Sequence, residues 1–124
     1  MLWFRCGSLI MLLGVAFGAF GAHGLKGHVS AETLQVYQTG VLYHLIHGLA
    51  LFAVGGLASF KAPTPPEQLL GALAGLSFTV GIVLFSGSLY LLALTGLKWL
   101  GMLTPIGGAA FLAGWLCLAA AARP

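Results

Sequence analysis

Long apolar stretches, broken at wide intervals by single charges, set the pattern of this chain. The charged positions are Arg5, Lys26, Glu32, Lys61, Glu67, Lys98 and Arg123, and the uncharged runs between them span 20, 5, 28, 5, 30 and 24 residues. A helix needs about 20 mostly apolar residues, at 1.5 Å rise each, to cross a bilayer. Four runs reach that length and two are loop-sized. The pattern predicts one all-α membrane domain over residues 1–124, a polytopic four-transmembrane-helix bundle with short loops. Its spans are expected at about residues 5–23, 39–60, 68–95 and 104–122.

Local signals support these limits. Gly24-Leu-Lys-Gly27-His28 suits a helix C-terminus, with glycines and a cation at the negative end of the dipole. Ser30 and Thr33 are capping types, and residues 33–38 are expected as a separate helical turn at the interface. The segment 61–67 holds three prolines, which remove N–H donors and clash with a preceding turn. Thr104-Pro105 reads as an N-cap followed by proline at the first helical position. The alternative is a longer helix from Trp99, kinked at Pro105. The apolar run after Arg5 exceeds the 7–15 residues usual for a signal peptide, so the first helix is expected to be retained.

Composition narrows the class further. Only 6% of residues are charged and 60% are hydrophobic. A soluble domain carries about 25% charged residues, and a disordered chain needs low hydrophobicity. An even number of spans puts both termini on one side, called side A. Arg5, Lys61 and Arg123 fall there, against Lys26 and Lys98 on the opposite side B. The positive-inside rule then places the termini in the cytoplasm of a cell (inner) membrane. The net charge of +3 is spread over both faces and forms no nucleic-acid patch.

Lipid tails are as apolar as leucine, so close approach through small residues drives helix pairing instead. Gly14 and Gly18 repeat at that spacing in the first span, as do Gly71 and Gly75 in the third, and Ala110 and Gly114 in the fourth. Trp3 and Phe4 suit the side A interface, and Trp99 and Tyr37 suit side B. Cys6 and Cys117 are expected to act as small packing residues.

Ionisable and polar residues inside spans are rare and often functional. Here they gather toward side B: His23 at the end of the first span, Tyr43, His44 and His47 early in the second, and Ser86, Ser88 and Tyr90 late in the third. Helical spacing puts His44 with His47, Tyr43 with His47, and Ser86 with Tyr90 on shared faces. A cluster between the first three spans is therefore a candidate ligand site. It admits a transition metal on His44 and His47, a haem, a quinone or a lipid headgroup. It also admits plain hydrogen bonding between helices. The cofactor is left open.

No catalytic set is present. Glu32 and Glu67 both lie in loops, Ser86-Gly87-Ser88 lacks the nucleophile-elbow pattern, and no phosphate loop occurs.

Four ordered segments resemble a known family. They are Gly18-Ala-Phe-Gly-Ala-His23-Gly-Leu-Lys26, Tyr43-His-Leu-Ile-His47-Gly-Leu-Ala-Leu51, Phe85-Ser-Gly-Ser-Leu-Tyr90-Leu-Leu-Ala-Leu-Thr-Gly96, and Leu100-Gly-Met-Leu-Thr104-Pro-Ile-Gly-Gly108 with Gly114-Trp115 beyond. In this order they resemble the small integral membrane family of domain of unknown function 423, which is similar to the animal transmembrane protein 256 group. The resemblance implies four helices in a bacterial inner membrane or an organellar membrane. It assigns no activity and no functional residue.

Three functions fit. The first is a non-enzymatic accessory, scaffold or oligomeric bundle protein, acting as a homo-oligomer or within a larger membrane complex. The second is a ligand or redox module at the His/Tyr cluster. The third, a small transporter or channel, is weakened by the lack of intramembrane carboxylates.

Overall fold

A computed structural model describes residues 1–60 and 62–122, with the side chains of residues 58 and 60 left aside. Lys61 and Arg123, which carry two of the charges expected on side A, lie outside the described residues. Among those residues every regular element is helical. The elements form four rods, each long and apolar enough to cross a membrane.

The first rod is α1 (Leu2–Phe20), continued by a π-helical turn at Gly21–Leu25. The second is α2 (Ala31–Phe60). The third joins α3 (Pro65–Gly81), a π-helical turn (Ile82–Ser86) and α4 (Gly87–Thr95). The fourth opens with a 3₁₀ turn (Lys98–Met102) and continues as α5 (Leu103–Ala121).

The capping chemistry explains where the rods begin. Ser30 Oγ accepts the Thr33 N–H at 3.1 Å, so α2 starts eight residues before the expected position 39. No proline or glycine intervenes before Gly40, and the turn expected at 33–38 is simply the first part of α2. Glu67 Oε2 accepts the Thr64 N–H at 2.7 Å, which completes a capping box. Pro65 and Pro66 then sit in the first helical turn, where a missing donor costs nothing. Gly96, with φ of 71°, ends the third rod in the left-handed conformation and donates its N–H to the Leu92 carbonyl. The Thr104 cap expected for the fourth helix start is not found, whereas the alternative of a longer rod from about Trp99 matches in extent, since the helical span runs Lys98–Ala121. The residue before α5 is Met102, Thr104 lies inside the helix, and the preceding residues wind as a 3₁₀ turn.

Successive rods run antiparallel. α1 lies on α2, α5 lies on α3, and α2 bridges the two pairs. Many contacts are aromatic rings seated on glycines. Phe78 covers Gly114, and in the next turn Phe111 covers Gly81. Trp3 covers Gly75, Phe4 covers Gly55, Tyr37 covers Gly21 and Tyr90 covers Gly40. Of the glycines, Gly107 lies closest to another backbone, and an added Cβ there would strike the Phe85 main-chain nitrogen. The main core runs through Leu51, Val54, Ala74, Phe78, Ile82 and Phe111, with Cys6 and Cys117 packed against it. A second core near the Ala31 end of α2 holds Leu25, Tyr37, Tyr90 and Ala93.

Of the glycines expected to pack helices, Gly14 meets His44 and Leu45, Gly18 meets Val41, and Gly75 and Gly114 meet rings. Gly71 is buried, yet a Cβ there would touch nothing within 4 Å.

Candidate functional site

Because α2 begins at Ala31, His44 and His47 stand near the midpoint of a 30-residue helix. They do not lie near one end, as a start at residue 39 implied. Both are 4% exposed. At that depth no water competes, so each ring nitrogen needs a partner from the protein.

His44, on the second rod, is held by the first and third rods at once. Its Nε2 lies 2.8 Å from the Ile10 carbonyl in α1, and its Nδ1 lies 2.9 Å from the Tyr90 hydroxyl in α4. A carbonyl oxygen can only accept, so Nε2 carries the hydrogen. In the neutral ring Nδ1 then accepts from Tyr90. Gly14 gives the imidazole room, because a Cβ there would lie 3.2 Å from the ring and closer still to Leu45. Phe17 stands edge-on to both rings, with its centroid 5.0 Å from that of Tyr90 and 6.1 Å from that of His44.

His47 is the opposite tautomer. Its Nδ1–H donates to the Tyr43 carbonyl at 2.7 Å, one helical turn back. Nε2 is thereby left bare and accepts the indole N–H of Trp115 in α5 at 3.1 Å. The ring stacks on Phe111 at 3.5 Å between centroids and 7° between planes, with Phe78 and Trp115 on other sides.

The remaining candidates are distributed around these two histidines. Tyr37, expected at the interface, is buried, and its hydroxyl donates to the Phe17 carbonyl at 2.7 Å. Its ring lies 5.0 Å from that of Tyr90. Ser88 donates to the Phe85 carbonyl and pairs with Thr104 at 2.8 Å, so Thr104 ties α4 to α5. Ser86 is fully buried and its hydroxyl has no partner among the described residues. Tyr43 is partly exposed and stacks between Phe85 and His47. His23 and His28 are exposed and stand apart.

The histidines thus do not converge on one cavity. His44 joins α2 to the first and third rods, and His47 joins it to the fourth. Trp115 is the contributor that the sequence pattern did not single out. Among the described residues no group of three His, Cys, Asp or Glu side chains gathers as a metal site. The donor set also fits a metal or haem poorly, since every nitrogen of the two buried imidazoles is engaged by the protein.

Two grooves flank these histidines. One, of about 850 Å³, lies between the first and third rods and is lined by Phe17, Phe20, Tyr37, Ser88 and Tyr90 among others. The other, of about 610 Å³, lies between α2 and α5 over Tyr43, His47, Phe85 and Trp115.

Residues 17–108, which include both buried histidines and Tyr90, match the family described as "Protein of unknown function (DUF423)". The chain belongs to this family. Its relatives carry the same description of location. "UPF0382 membrane protein YwdK" of Bacillus subtilis (strain 168) is 46% identical over 120 residues, covering 94% of this chain and 91% of that protein. "UPF0382 membrane protein SH2409" of Staphylococcus haemolyticus (strain JCSC1435) is 43% identical over 112 residues, covering 90% and 87%. A "UPF0382 membrane protein" of Haemophilus influenzae is 40% identical over 115 residues, covering 90% and 88%. No solved structure matches. Like these relatives, this DUF423 protein is a membrane protein, with four apolar rods to meet the bilayer.

Proposed function

We propose that this protein performs no chemistry of its own and serves as an accessory or scaffold bundle in the inner membrane. Its outer faces engage further copies of itself or other membrane proteins, and both termini face the cytoplasm. One observation carries the reading. The histidines buried in the bundle, His44 and His47, have both nitrogens committed to Ile10, Tyr90, Tyr43 and Trp115. A catalytic or metal-ligating imidazole needs a nitrogen free to act, and these rings instead bind helix to helix.

Native mass spectrometry of the full chain, released from lipid nanodiscs, tests the assembly. Species at multiples of 12.8 kDa, or with a stoichiometric second protein, are expected. A bare monomer across gentle conditions removes the reading. A fluorescent-protein fusion at the C-terminus is expected to light up in the cytoplasm, and a dark, exported fusion reverses the orientation.

A further inference from the structure

The groove between α2 and α5 differs from the larger one in a single chemical respect. In the larger groove each hydroxyl is already used: Tyr37 on Phe17, Tyr90 on His44, and Ser88 on Phe85 and Thr104. The groove over α2 and α5 contains the phenol of Tyr43, which makes no hydrogen bond to any described residue and whose residue is 37% exposed. Tyr43 stands close to the midpoint of α2. A hydroxyl at hydrocarbon depth has no water to turn to, and leaving it unpaired is costly. It calls for an acceptor delivered from the bilayer.

The walls indicate what kind of acceptor. Tyr43, His47 and Phe111 lie nearly parallel, with planes 18° apart for Tyr43 and His47 and 7° apart for His47 and Phe111. The Tyr43 and Phe85 centroids are 4.5 Å apart. His47 and Phe111 are buried and stacked face to face, so the ring surface open to the groove belongs to Tyr43 and Trp115, 37% and 44% exposed, with Phe85 beside them; among the described residues no Asp, Glu, Lys or Arg lines the groove. An anionic headgroup therefore has no counter-charge there, and a lipid ester carbonyl sits at the interface, not at this depth. Exposed Leu112 and Ile46 at the rim leave the groove open to lipid. What fits is a planar, uncharged ring with a carbonyl acceptor and an apolar tail.

We propose that the α2–α5 groove binds the head of an isoprenoid quinone, with the Tyr43 hydroxyl donating to one quinone carbonyl. The ring lies against the exposed rings of Tyr43 and Trp115 and the tail leaves past Leu112 into the bilayer. The groove holds the quinone, and no electron transfer is assigned to it.

The test uses the full chain in nanodiscs, photolabelled with an azido-benzoquinone and competed with decylubiquinone. Label is expected on peptides from α2 and α5, with saturable competition. Decylbenzene, which has the tail but no carbonyl, should compete poorly. Tyr43→Phe should weaken decylubiquinone about three- to tenfold, the value of one net hydrogen bond. It should leave the melting temperature unchanged, because the hydroxyl has no partner in the bundle to lose. Ala109→Phe, which fills the groove, should abolish specific label. Label on α1 or α3 alone, equal competition by decylbenzene, or undiminished affinity in Tyr43→Phe would each overturn the proposal. Should Ala109→Phe fail to fold, Tyr43→Phe still decides.

Discussion

His44 and His47 are one turn apart on α2, and the fold gives them opposite tautomers. The difference comes from which nitrogen faces a main-chain carbonyl: Nε2 on Ile10 for His44, Nδ1 on Tyr43 for His47. In a bilayer such bonds contribute about 0.6 kcal/mol each, because the unfolded helices also find partners. Tyr90→Phe should thus lower stability by about 0.6–1.7 kcal/mol, measured by unfolding in mixed micelles or by steric trapping. A double-mutant cycle with His44→Ala should return a coupling of similar size, and a coupling of zero would mean that the 2.9 Å contact is not a bond in the membrane. Ser86 should behave in the opposite way. Its buried hydroxyl has no described partner, so Ser86→Ala should be neutral or stabilising by about 1 kcal/mol. Clear destabilisation in the same assay would reveal a partner there. The candidate side chains themselves were legible in the sequence, since polar residues stand out in apolar runs. Their partners were not. A backbone carbonyl such as that of Ile10 looks the same at every position, and only the fold selects it.

At the level of helices, the rods hold together by rings lying on glycines and by close backbone approach, tightest among the glycines at Gly107. Gly107 and Gly71 make a matched pair for testing this. Gly107→Ala would drive a methyl into the Phe85 main chain, so α5 must move away from the third rod, at about 1–3 kcal/mol. Gly71→Ala meets open space and should change stability by no more than about 0.5 kcal/mol. Equal effects in a thermal or denaturant unfolding series would show that small-residue contact does not organise α3 and α5. The small-residue spacing in the sequence identified Gly14, Gly75 and Gly114, but it gave Gly107 no special weight. Spacing reports which helix faces are smooth. It does not report which residue of a smooth face lies at the crossing point. The same limit applies at the helix ends. The Ser30 cap was readable, but its consequence, a longer α2 with centrally placed histidines, followed only once residues 31–38 were seen to be continuous with it. The two π-helical turns have no marker in the sequence, because one extra residue in a turn leaves residue types unchanged.

Across the whole molecule, α2 is the hub. It carries both histidines and Tyr43, and it touches every other rod, the fourth through His47 on Trp115 and Phe111. Loss of α2's polar contacts should therefore loosen the bundle on two sides independently. The Tyr37→Phe and Trp115→Phe effects should add to within about 0.5 kcal/mol, because Tyr37 bonds Phe17 while Trp115 bonds His47, about 15 Å farther along α2. Strong non-additivity in the unfolding assay would instead indicate a single shared site. The membrane setting and the number of rods followed from the chain alone. Seven charges in 124 residues leave no other way to satisfy so much apolar surface, and their spacing measures the bilayer thickness directly. Which polar groups meet, which tautomer each histidine adopts, and which hydroxyl is left facing a groove were decided only by tertiary packing. Hydropathy depends on residue type and spacing along one helix, whereas these bonds depend on rotation and register between helices, and a stripe of glycines tolerates several of each.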